Sequence, residues 1–107
     1  MTDLPIACSL LETERQERRT QVLDRVSARV QEVRPLTDGY ALRFPADDAA
    51  LTELMHLIQL ERQCCGFLAF RLTVEPGGGP VWLELTGPEG TKSFLESAFS
   101  LDSATQH

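Results

Sequence analysis

Cys64 and Cys65 stand side by side at the end of an apolar helical pattern, and Cys8, far upstream, is the third and last cysteine of the chain. Each thiol can lose its proton to become a thiolate, which is a soft ligand and a nucleophile. The residue types and their adjacency point to soft-metal binding or thiol redox chemistry. Three thiolates suit As(III) and other trigonal soft ions, and two suit linear Hg(II) or Cu(I). Structural zinc takes four ligands, so it would need Glu61, His107 or a water beside the cysteines. No C-x-x-C pair and no zinc-finger spacing of Cys and His occurs in the sequence. The plain alternative is that the thiols fill core, since free cysteine is among the most buried residue types.

Helix geometry sorts the neighbours of the pair. Each residue of an α-helix advances ~100°, and with Leu51 at zero, Leu54, Ile58 and Met55 fall near 300°, 340° and 40°, defining an apolar face. On that scale Cys65 falls at about 320°, inside the face, and Cys64 at about 220°, at its edge beside Leu57. Glu61, at about 280°, lies within the apolar arc one turn before the cysteines, whereas His56, at about 140°, points to the polar side. A carboxylate on the core side of a helix is costly unless paired. Glu61 is therefore expected either in an ion pair with an arginine such as Arg43 or with backbone amides, or as a metal ligand or acceptor of a thiol proton. His56 is a poor partner for Cys65 and reads as a solvated histidine.

The helix dipole separates the three thiols. Cys64 and Cys65 end a helix, where negative charge is disfavoured unless a cation or metal compensates. Cys8 precedes a helix N-terminus, which favours its thiolate and makes it the better nucleophile. A disulfide within the pair would strain a regular helix, and a bridge from Cys8 to Cys64 or Cys65 requires the fold to bring residue 8 close.

These residues must be held by a small set of elements. Ser9-Leu10-Leu11-Glu12 and Thr13-Glu14-Arg15-Gln16 both read as capping boxes, so a first helix starts near Leu10 or Glu14 and runs to about Val26. Arg29 to Arg34 reads as a strand, and Asp38-Gly39 supplies a turn. Tyr40, Leu42 and Phe44 alternate with Ala41 and Arg43 in a second strand. Asp47 or Asp48 caps the next helix, which runs to about Cys65 and stops at Gly66. Leu68 to Val74 gives a third strand, Pro76 to Pro80 a turn, and Val81 to Leu85 a fourth strand. Thr86 or Gly87 caps a last helix with Pro88 in its first turn.

The order α-ββ-α-ββ-α predicts one α+β domain over residues 1–107, with 100–107 as a polar tail. Two hairpins join into a four-stranded antiparallel sheet, a two-layer sandwich with helices mainly on one face. Ala41, Arg43, Phe67, Arg71, Trp82 and Glu84 are expected on the other face. Phe67 and Trp82 there suggest a homodimer contact, or else Trp82 lies flat under Arg71 as an isolated surface aromatic.

Composition narrows the functional classes. The net charge is −6. Residues 1–45 carry seven basic and seven acidic side chains, and residues 46–107 three and nine, so the excess lies in the second part. The arginines of the first helix alternate with Glu12, Glu14, Glu17 and Asp24, which describes a solvated face and not a nucleic-acid surface. No apolar run approaches the ~18 residues of a membrane helix. The N-terminal residues lack the pattern of a signal peptide, so a cytoplasmic location with reduced thiols is expected.

The segments Ile6-Ala7-Cys8, Glu61-Arg62-Gln63-Cys64-Cys65-Gly66-Phe67 and Gly79 to Gly90 resemble a group of small uncharacterised bacterial proteins, over most of the chain. Members of that group combine an N-terminal cysteine with a Cys-Cys pair, a small residue and Phe, often with Pro where this chain has Gly66. The resemblance implies no activity. Three readings follow from the residues themselves. The first is capture of a soft metal or metalloid ion (Hg, As, Cu or Zn) by Cys8, Cys64 and Cys65 with Glu61 as auxiliary ligand. The second is a thiol redox sensor or enzyme using Cys8 with the pair. The third is a non-catalytic dimeric interaction module with buried thiols.

Overall fold

A computed structural model describes residues 13–99. Cys8, a helix start at Leu10 and the tail from Ser100 to His107 lie outside the described residues. The elements are α1 (Thr13–Arg29), β1 (Glu32–Leu36), β2 (Gly39–Phe44), α2 (Asp48–Cys64), β3 (Ala69–Val74), β4 (Val81–Thr86) and α3 (Thr91–Phe99). This is the α+β order read from the sequence, with an open antiparallel sheet and three helices.

The sheet order is β1-β2-β4-β3, so the second strands of the two hairpins meet at the centre. Tyr40 pairs with Leu85, Leu42 with Leu83 and Phe44 with Val81. The two-residue side-chain period puts all six on one face, where they are buried. Val22, Leu23 and Val26 of α1, Leu54 and Leu57 of α2, and Leu95 and Phe99 of α3 close the core over that face. Pro35, which cannot donate to a ladder, stands in the edge strand β1.

Asp47 caps α2 as expected: its backbone is extended and its carboxylate accepts the Ala50 N–H at 2.7 Å. Several boundaries differ from the sequence reading. α1 continues to Arg29, and β1 begins at Glu32 rather than Arg29. α3 begins at Thr91 and not at Pro88, because Gly90 takes φ 97, which interrupts a right-handed helix, while the Thr91 N–H bonds the Pro88 carbonyl. The buried stripe of α2 is Leu54, Leu57 and Glu61, whereas Met55 is 46% exposed. The helix is thus rolled toward Leu57 relative to the expected face, and Glu61 sits in the middle of the buried arc.

Phe67 is not on the open sheet face. It lies in the turn before β3, buried, with its ring edge-on to Phe94 at 5.0 Å. The open face carries Glu32, Arg34, Ala41, Arg43, Arg71, Trp82 and Glu84. Trp82 lies under Arg34, 4.4 Å from guanidinium carbon to ring centroid, and not under Arg71. The register explains the change, because Arg34 comes from β1 and Trp82 from β4 with only short Ala41 and half-buried Arg43 between them on β2.

Candidate functional site: a buried arginine–glutamate–cysteine cluster

α1 and α2 run antiparallel. Arg19 meets Glu61 near one end and Arg29 meets Glu53 near the other. Arg19 is on the α1 stripe that continues through Val22, Leu23 and Val26, at the i, i+3, i+4, i+7 spacing of one face. That stripe carries the guanidinium inward.

Glu61 is 1% exposed and Arg19 16%. Arg19 Nε donates to Glu61 Oε2 at 2.7 Å and Nη2 to Oε1 at 3.0 Å. Such a two-pronged pair neutralises the carboxylate and fixes both side chains. It is the ion-pair role anticipated for Glu61, but with Arg19 in place of Arg43. Arg43 lies across the sheet on the open face, 3.5 Å from Glu32.

The same Nη2 reaches Cys65 Sγ at 3.7 Å. Cys65 is fully buried and forms the C-cap of α2, with φ −125 and ψ 67, its N–H donating to the Glu61 carbonyl at 2.7 Å. The helix therefore ends between the two cysteines: Cys64 is its last residue and Cys65 is already out of helical conformation. The Cys65 carbonyl accepts the Leu68 N–H at 3.1 Å, which turns the chain and lays Phe67 against Phe94. Arg19 also stands 5.9 Å from the Phe94 ring centroid. One guanidinium thus contacts a carboxylate and a thiol at the end of α2 and an aromatic face on α3.

Chemically, the cluster supplies what a cysteine at a helix C-terminus lacks. The dipole opposes a thiolate there, and an N–H donor on the sulfur favours one. Among the described residues no group of three or more Cys, His, Asp or Glu stands close enough to hold a metal ion. Cys8 and His107 lie outside the described residues, and the structure describes Cys64 by its backbone. His56 is exposed, as expected, and faces a groove with Arg18 and Arg25 instead of Cys65.

Two further charged contacts lie outside the cluster. Tyr40 Oη donates to Glu96 Oε2 at 2.5 Å, and this bond, with burial, pushes the phenol up to about 12. Arg34 donates to Glu32 at 2.7 Å and holds that carboxyl below its ordinary value. Sequence reasoning missed Arg19, which carried only the signal of an arginine on the apolar stripe of a polar helix. No helix among the described residues is long and apolar enough to cross a membrane. Comparison with protein-family profiles, with curated proteins and with solved structures gives no match to the chain.

Proposed function

We propose that this protein captures a soft metal or metalloid ion with thiolates from Cys65, Cys64 and Cys8. The supporting observation is the Arg19 guanidinium, locked on Glu61 and 3.7 Å from Cys65 Sγ. Its Nη2 N–H donates toward the sulfur, which favours the deprotonated form at a helix end that otherwise resists it. Glu61, with both oxygens on Arg19, acts through that arginine, and it becomes a direct ligand only if the pair opens. Binding releases thiol protons, so uptake rises with pH.

Burial ranks the ions. Arg19 and Glu61 cancel each other's charge, and an uncompensated charge beside them is costly. Three thiolates on As(III), or two on Hg(II), form neutral centres. Two on Cu(I) leave a net negative charge, as do three on Zn(II), which also seeks a fourth ligand. The reading therefore favours As(III) and Hg(II).

Native mass spectrometry of anaerobically purified protein, with Zn(II), As(III) or Hg(II) added in turn, is the test. A one-to-one As(III) or Hg(II) adduct is expected, lost in Cys64→Ser and Cys65→Ser, with the As(III) adduct lost also in Cys8→Ser. Equal binding by the parent and the serine variants ends the proposal.

The Arg19–Cys65 contact also favours a second reading, thiol exchange between Cys8 and the pair. It predicts a disulfide from Cys8 to Cys64 or Cys65 that a thiol oxidant forms and dithiothreitol reverses. A reducing, cytoplasmic setting suits both readings. A homodimer through the open sheet face around Trp82 goes with either, and sedimentation equilibrium of the parent and Trp82→Ala tests it.

A further inference from the structure

α1 and α2 enclose a groove of 540 Å³ on their solvent side. α1 lines it with Arg18, Gln21, Val22 and Arg25, and α2 with His56, Gln59, Leu60 and Gln63. Both sets have the i, i+3, i+4, i+7 spacing that places four residues along one helix face. Buried Val22 and half-buried Leu60 form an apolar floor, while the exposed basic and carboxamide groups form the walls. Among the described residues no carboxylate lines the groove. In a chain of net charge −6 this is a concentration of positive charge.

The arginines are available to a ligand. Arg18 is exposed and forms no ion pair among the described residues. Arg25 reaches Glu53 at 3.4 Å with its side chain 53% exposed, and Glu53 has its closer partner in Arg29 at 2.7 Å. An exposed pair of this kind contributes little and is readily exchanged.

Spacing selects the ligand. Arg18 and Arg25 are seven residues apart, which is ~10.5 Å along the helix axis. Three extended peptide residues span ~10 Å. A tripeptide with a carboxylate at each end therefore matches the spacing of the two arginine positions on α1, with Gln21 and Gln59 in the lining to supply carboxamides for its amide groups. The volume lies in the range of small-molecule sites.

We propose that the α1–α2 groove binds a small extended dicarboxylate of tripeptide length, held at its ends by Arg18 and Arg25. The site does not depend on thiol capture. Its lining on α2 lies on the opposite side of the helix from buried Cys65.

Isothermal titration at low ionic strength with S-methylglutathione, a dicarboxylate tripeptide without a free thiol, tests the site. Saturable one-to-one binding is expected. It should weaken at least tenfold in Arg18→Gln/Arg25→Gln, whose exposed positions leave the circular dichroism spectrum unchanged. It should persist in Cys64→Ser/Cys65→Ser, which separates this site from the metal reading. The diethyl ester of S-methylglutathione should not bind. Absence of saturable heat, equal binding by the double arginine variant, or equal binding of the ester each overturns the proposal.

Discussion

Arg19 holds both carboxylate oxygens of Glu61, at 2.7 and 3.0 Å, across 42 positions of sequence. The pair joins the first and second helices at the depth of the core. Breaking a buried pair leaves one uncompensated charge, whereas removing both partners leaves none. Glu61→Leu alone should cost about 3–5 kcal/mol. The double variant Arg19→Met/Glu61→Leu should cost clearly less than the two single changes together. Urea unfolding of the four proteins measures this coupling. Additive losses would mean that the two side chains do not act as a pair.

The double variant also tests what the Arg19–Glu61 pair does to the thiol. In a Cys8→Ser/Cys64→Ser background, the ultraviolet absorbance of the thiolate reports Cys65 alone. With Arg19 and Glu61 in place, that absorbance should appear at lower pH than in Arg19→Met/Glu61→Leu, because the variant lacks the Nη2 donor 3.7 Å from Sγ. An unchanged titration curve would reduce Arg19 to a packing role.

These two experiments concern the part of the molecule that its sequence disclosed least. Alternation and capping are local, so a cap at Asp47 or Asp48, Tyr40-Leu42-Phe44 and Val81-Leu83-Leu85 identified themselves, and with them the order of helices and strands. The burial of Glu61 was also legible, since helical period alone sets a residue's face. Its partner was not. Which arginine meets Glu61 depends on how α1 packs on α2, and that contact is set by tertiary structure rather than by any short-range pattern. The same holds for Phe67: alternation extended back from β3 assigned it a sheet face, but the turn held by the Cys65 carbonyl releases it from the strand. α3 was displaced by three residues because Pro88 looks like a helix start until the conformation of Gly90 is known.

Two glycines should respond oppositely to alanine. A Cβ on Gly39 would lie 1.8 Å from the Leu85 carbonyl oxygen, a backbone atom that the central β2–β4 ladder cannot move aside. Gly39→Ala should therefore cost at least about 3 kcal/mol, in the range of severe core disruption. A Cβ on Gly66 meets nothing within 4 Å. Its φ is not in the left-handed region, so Gly66→Ala restricts mainly the unfolded chain and should stabilise by about 0.4–1 kcal/mol. Thermal unfolding followed by circular dichroism distinguishes the two. A destabilised Gly66→Ala would show that the turn after the cysteine pair needs glycine.

Tyr40 gives a pH dependence with a defined sign. Its hydroxyl donates to Glu96, and this bond, with burial in the core, raises the phenol from 10.0 to about 12. Between those values the unfolded chain has lost the phenolic proton and the folded chain keeps it. The unfolded state then binds fewer protons, so stability falls as pH rises through that window. Below pH 10 the contribution is fully present, and Tyr40→Phe should cost about 1.5–3 kcal/mol there, the range for a hydrogen bond to a charged group. As the pH approaches 12 the gap between parent and variant should close. Tyr40 is the only tyrosine in the chain, so its ultraviolet titration is read without interference from another phenol. A midpoint near the ordinary value, or a stability gap independent of pH, would show that the Tyr40–Glu96 bond does not persist in solution.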